Sequence, residues 1–180
     1  LTQFIFVRHG ESEANAKLYL GTPDTVLTEA GLEQARVTGQ KLKGLGVTTI
    51  VSSPYIRAQQ TAEAIASELG IDVQHIKIIE ELYEKRAGKF EGTRKQHPSE
   101  WYNSHPGDEN FELPDKVTAR TQRAIEQIKA LSRDGLVVVV GHAAAGLYLL
   151  ELCAGKKTFD EFDLDRTIDN ANFIRVQIED

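Results

Sequence analysis

Two histidines stand where apolar runs end. Phe4-Ile5-Phe6-Val7 leads directly into Arg8-His9-Gly10, and the valine run from Val137 to Val140 leads into Gly141-His142. A third run, Thr48-Thr49-Ile50-Val51, passes through Ser52-Ser53-Pro54 to Arg57. A single histidine after a strand is usually a structural residue; two of them, each near an arginine, point to chemistry. Two arginines and two histidines gathered at one place repel one another unless they hold an anion. A guanidinium fork matches phosphate oxygens in pairs, and a helix starting at Arg57 adds backbone N–H groups and a positive dipole end. An imidazole is a nucleophile near neutral pH if one nitrogen stays unprotonated. The other nitrogen must then be tied to a backbone acceptor. Metal ligation is the rival use of a histidine cluster, but the sequence holds no HxH, HxxxH or CxxC spacing. Arginines can do the charge neutralisation that magnesium does at other phosphoryl-transfer sites, so neither metal nor cofactor is expected.

These residues need elements to bring them together. The short β-branched runs read as strands buried on both faces. Phe173 to Ile178 alternates more, as an edge strand does. Helical patterns lie between them. Thr28 to Leu45 carries Leu32, Ala35 and Leu42 on one face, and Arg57 to Leu69 is stopped by Gly70. Pro114 to Leu131 is long and amphipathic, and Ala144 to Leu152 is short and apolar. Strands alternating with helices predict an α/β fold: a three-layer sandwich with a largely parallel central sheet. Ligands of such sheets bind outside the carboxyl ends of the strands. If the strands are parallel, His9, His142 and Arg57 emerge at one rim.

No repeat or linker divides residues 1–180, and one domain is expected at this length. The irregular stretch from Gly92 to Leu113, with Trp101, Tyr102 and His105, reads as a lid or as surface cover. A net charge of −6 argues against a general nucleic-acid binder. No apolar run approaches the ~20 residues of a membrane helix, and the first residues do not read as a signal segment. The one cysteine, Cys153, allows no disulfide framework and reads as a core residue. A cytoplasmic protein with a small phosphorylated substrate is the expectation.

Arg8-His9-Gly10-Glu11-Ser12-Glu13-Ala14-Asn15 resembles the signature of the histidine phosphatase superfamily, which includes phosphoglycerate mutase-like enzymes. Further segments continue the resemblance in the family's order: Leu27 to Gly31 with Gln34-Ala35, Ser52 to Ala62 around Arg57, Leu82 to Gly92, and Val137 to His142. The resemblance implies that His9 is the nucleophile and Glu84 the general acid and base. It implies that Arg8, Arg57 and His142 hold the phosphoryl oxygens, with Asn15 as a neutral donor. Secreted relatives carry RHGxRxP; RHGESEA places this chain with the smaller intracellular branch. Two positions depart from the pattern. Ala143 follows the second histidine where the family often has glycine, and Ala87 stands where it often has an aromatic residue.

Phosphatase is favoured over mutase, because mutases are usually longer in the lid. A pocket that binds a phosphorylated ligand or a protein without reacting is the alternative from another class; both the nucleophile and the acid are present here. A basic cluster, Lys85, Arg86, Lys89, Arg94 and Lys95, surrounds the acid segment. It reads as a solvated loop or as the receiver of a second anionic group, with Arg86 and Lys95 as candidates. Trp101 and Tyr102 are candidates for an aromatic lid.

Overall fold

The computed structural model describes residues 2–94, 107–156 and 166–178. Five strands form one sheet: β1 (Thr2–Arg8), β2 (Val47–Ser52), β3 (Lys77–Ile78), β4 (Leu136–Gly141) and β5 (Phe173–Ile178). Their order is β3-β2-β4-β1-β5. Every neighbouring pair is parallel except β1 with β5. Helices α1 (Glu13–Lys17), α2 (Glu29–Leu42), α3 (Ile56–Leu69), α4 (Pro114–Leu131) and α5 (Ala143–Cys153) connect them.

The apolar runs are buried because helices cover both faces of the sheet. Ile5, Val7, Ile50, Val138 and Val140 pack against Leu42 of α2 and Ala58, Ala62 and Ile65 of α3. Phe4, Phe6, Val51, Val137 and Val139 pack against Ala124, Ile125 and Ile128 of α4 and Leu149 of α5. Successive valines of β4 thus serve opposite layers, as a strand's two-residue period requires. Each such side chain stabilises the fold by about 1.5–3 kcal/mol when fully buried. This is the expected three-layer α/β sandwich with a mostly parallel sheet. β5 is the antiparallel edge strand that its alternation predicts, with Val176 and Ile178 buried and Ile174 exposed.

Helix α2 differs from its sequence reading in one respect. Ala35 and Leu42 are fully buried, but Leu32 is 42% exposed. The inward stripe is built from Gly31, Ala35, Thr38, Gly39 and Leu42. Small residues win there because the backbone comes very close. A Cβ on Gly31 would lie 2.0 Å from the Glu11 carbonyl oxygen, and one on Gly39 would lie 2.8 Å from the Glu68 Cβ. Leu32 lies at the margin of that stripe, about 60° of helical turn from Ala35 and about 80° from Leu42. β3 was not foreseen: two exposed residues give no periodic signal.

The Gly31 contact carries the loop after β1, so its steric consequence is testable. Gly31→Ala is expected to lower stability by about 1–3 kcal/mol through overpacking against backbone. Leu32→Ala is expected to stay within about 0.5 kcal/mol, as an exposed change does. Urea denaturation midpoints of the two variants check both values.

Candidate active site

Parallel pairing ends β1, β4 and β2 at one level. Arg8 is in register with Gly141, and Ser52 with Val140. The pairing runs on past the strands: the His9 amide donates to the Gly141 carbonyl at 3.0 Å, and the Ser53 amide donates to the Val140 carbonyl at 3.0 Å. Beyond this rim lies a cleft lined by Arg8, His9, Ser12, Asn15, Arg57 and Glu84, with Tyr19, Tyr55, Lys85, Ala87 and Ala143.

His9 is 4% exposed. Its Nδ1 is 2.7 Å from its neighbour's carbonyl, the Gly10 oxygen. A carbonyl only accepts, so the proton sits on Nδ1. Nε2 then carries the lone pair, and it meets the Arg57 Nε–H at 3.2 Å. That donor could not face a second N–H, so the geometry itself keeps a proton off Nε2. The loop around His9 is pinned on every side. Thr61 Oγ1 accepts from the Gly10 amide at 3.1 Å, Gln34 Oε1 accepts from the Glu11 amide at 2.9 Å, and Asn170 Nδ2 donates to the His9 carbonyl at 3.0 Å.

Arg57 is in the first turn of α3 and 4% exposed. Its Nη1 donates to the Thr22 carbonyl at 2.7 Å, and its guanidinium lies over the Tyr55 ring at 5.1 Å. Gly21 lets the chain pass close: a Cβ there would be 3.3 Å from the guanidinium carbon. Arg8 donates from Nη1 to the Ile168 carbonyl at 2.8 Å. Asn15 Oδ1 accepts from the Ser12 amide, the Ser12 hydroxyl and Asn170 Nδ2. Its amide nitrogen is the donor it can offer to the cleft.

His142 is fully buried, and its ring stands edge-on to His9 with centroids 5.3 Å apart. It does not line the cleft surface but sits immediately behind it. Its Nε2 is 2.7 Å from Ser53 Oγ, which accepts from the Tyr55 amide at 3.3 Å. Where the Ser53 hydroxyl donates to Nε2, the His142 proton is on Nδ1, which meets no partner among the described residues. Burial first, then the charge of Arg57 and the neighbouring His9, hold His142 well below the ordinary histidine pKa. It stays a neutral N–H donor.

Glu84 faces the same cleft from the segment after β3. Its Oε1 accepts from the amides of Lys85 and Ala145, each at 2.8 Å, and its Oε2 accepts from the Ala144 amide at 3.2 Å. The carboxylate thus sits on the first turn of α5, where the positive end of the helix dipole favours it. Oε2 carries the single, longer bond.

The members of the basic cluster occupy different surroundings. Arg86 is not among the cleft-lining residues but pairs at 3.0 Å with Glu91, which is, and this contact pushes the Arg86 pKa up. Lys89 and Arg94 are exposed. Of the described members Lys85 alone lines the cleft, 3% exposed, with Nζ 4.1 Å above the Phe111 ring. Lys95, Trp101, Tyr102 and His105 lie outside the described residues. Cys153 is half-buried, and burial pushes its thiol up to about 12. Among the described residues, no group of three or more His, Cys, Asp and Glu side chains is placed to hold a metal.

Sequence reasoning gave no role to Ser53, Thr61, Gln34 or Asn170 individually. The first three were visible only as letters of longer motifs. Asn170 is 161 residues from His9 and has no local signal beyond the polar Asp169-Asn170-Ala171-Asn172 before β5.

Comparison with known proteins gives the family and the fold. Residues 4–180 match the histidine phosphatase superfamily (branch 1). "Probable phosphoglycerate mutase GpmB" of Salmonella paratyphi B is 33% identical over 157 residues, covering 81% of this chain and 71% of its own. Among solved structures, the alpha-ribazole phosphatase of Shigella flexneri superposes with a TM-score of 0.79 at 24% identity, over 98% of this chain and 91% of that one. A phosphoserine phosphatase of Entamoeba histolytica superposes with a TM-score of 0.75 at 22% identity, over 97% and 90%.

Lys85 gives the site a pH signature. Burial lowers its pKa from 10.5 to about 8, against the opposing pull of Glu112 and Glu84. Between those two values the unfolded chain binds the proton that the folded chain has released, so folding stability rises with pH across that window. Below about 8 both states are protonated and the cost of the buried charge is fully present. In urea titrations, wild type is expected to gain stability relative to Lys85→Met as pH climbs through the window. A pH-independent difference would contradict the assignment.

Proposed function

The chain belongs to the histidine phosphatase superfamily, and from that premise we propose that it hydrolyses phosphomonoesters through a phosphohistidine on His9. The observation that carries the reading is the His9 ring: Nδ1 fixed on the Gly10 carbonyl at 2.7 Å and Nε2 presented to Arg57. Arg8, Arg57, the Asn15 amide and the Nδ1–H of His142 receive the phosphoryl oxygens. The buried N–H of His142 favours this role, since a buried donor without an acceptor is costly and a phosphoryl oxygen would satisfy it. Nε2 attacks phosphorus, the ester P–O bond breaks, and the Glu84 carboxyl gives its proton to the departing alkoxide. Water then attacks the phosphohistidine while the Glu84 carboxylate takes its proton. Phosphate leaves and both groups return to their starting states. The two guanidinium groups neutralise the developing charge, and this electrostatic positioning supplies most of the acceleration.

The reaction in this reading needs no metal ion, and the enzyme works on a small phosphorylated substrate in the cytoplasm. The names of the Shigella and Entamoeba structures support hydrolysis. The name of the Salmonella relative favours a second reading, in which a substrate hydroxyl rather than water takes the phosphoryl group from His9. The two differ only in the acceptor.

Phosphate release from a panel of phosphomonoesters in EDTA tests the proposal. Wild type is expected to turn over, and His9→Ala to lose at least about 1,000-fold in kcat/KM, as removal of a covalent nucleophile does. Activity that survives in His9→Ala would remove His9 as nucleophile. Transfer to an added phosphoglycerate without phosphate release would select the mutase reading.

A further inference from the structure

Glu84 is held in place from behind. Arg120, in α4, is 3% exposed and pairs with both oxygens of Glu112, itself 6% exposed: Nε to Oε1 at 2.6 Å and Nη2 to Oε2 at 2.9 Å. The remaining guanidinium nitrogen, Nη1, donates to the Glu81 carbonyl at 2.7 Å. The guanidinium plane lies over the Tyr83 ring at 3.8 Å. Glu112 in turn accepts from the Tyr83 hydroxyl at 3.3 Å and from the Arg86 amide at 3.1 Å, and its own amide donates to the Arg86 carbonyl at 2.9 Å. The chain is therefore tied to one buried ion pair on both sides of Glu84, at residues 81, 83 and 86.

Neither Glu112 nor Arg120 lines the cleft. A buried ion pair adds little net stability, because removing two charges from water offsets their attraction. Proton transfer, by contrast, depends steeply on where the carboxyl group stands. We infer that Arg120 and Glu112 are positioning residues: their pair sets the placement of the Glu84 carboxyl against the leaving-group oxygen. The inference rests on Glu84 as the proton donor.

The experiment separates positioning from mere support of the fold by the choice of leaving group. An alkoxide needs a proton as it departs, whereas p-nitrophenolate leaves without one. The quantity read is kcat/KM, which reports phosphoryl transfer to His9. Three variants are compared with wild type, with thermal melts to establish folding. Glu84→Gln removes the donor itself. Arg120→Lys keeps the charge but loses the planar fork. The double variant Glu112→Leu/Arg120→Met removes both charges together and leaves neither orphaned.

On glycerol phosphate, Glu84→Gln is expected to fall about 100-fold, as loss of a general acid does. The two clamp variants are expected to fall about 10-fold on the same ester, through a misplaced acid. On p-nitrophenyl phosphate the two clamp variants are expected to stay within about 3-fold of wild type, since no proton is needed there, and Glu84→Gln is expected to lose much less than on glycerol phosphate. Equal loss on both esters, or no loss on either, in folded clamp variants beside a biased Glu84→Gln would overturn the positioning role alone. An unbiased Glu84→Gln would overturn Glu84 as the donor, and the clamp with it.

Discussion

The hydrogen bonds that carry the β1–β4–β2 pairing one residue past the strand ends fix everything that follows. His9 leans on the Gly141 carbonyl and Ser53 on the Val140 carbonyl. Three strands from distant parts of the chain thereby finish at one level, and their next residues become neighbours. The edge-on contact of the two histidine rings is the direct result. Parallel pairing requires helical crossovers, so α2, α3 and α4 are consequences of the same constraint. They cover both sheet faces, which is why the strands can be apolar throughout.

The site gathers positive charge and then controls where it acts. Arg57 approaches His9 from the start of α3, and the Arg57 N–H meets the nitrogen that carries the lone pair. His142 is too deeply buried, and too close to Arg57 and His9, to take a proton. The negative side is equally ordered. Glu84 rests on the first amides of α5, the helix that begins directly after His142. A second carboxylate, Glu112, balances Arg120 beneath the same segment. The acid segment is thus joined to the strand of the second histidine through α5 and to α4 through the buried pair.

The parts of this arrangement legible in the sequence were those written in local pattern. β-branched runs gave β1, β2 and β4, helical spacing gave α2 to α5, and the residues at the run ends gave His9, His142 and Arg57. The requirement that one ring nitrogen meet a backbone acceptor anticipated the Gly10 contact. What stayed hidden depends on tertiary approach. Leu32 looked inward because the hydrophobic pattern cannot register that Gly31 and Gly39 let α2 pack through its small residues. The pairing of Arg86 with Glu91 was equally hidden, because it is an interaction of the folded loop. Ser53 and His142 are 89 residues apart, and Asn170 and His9 are 161 apart. No window along the chain contains both members of either pair.

The stereochemical course at phosphorus tests the central claim most directly. A substrate made chiral at phosphorus, as an isotopically labelled thiophosphate ester, is hydrolysed and the configuration of the product is determined. Transfer first to His9 and then to water is two in-line displacements, each of which inverts phosphorus. The account therefore predicts net retention. Net inversion would mean that water attacks the ester directly, and would contradict a phosphohistidine on His9.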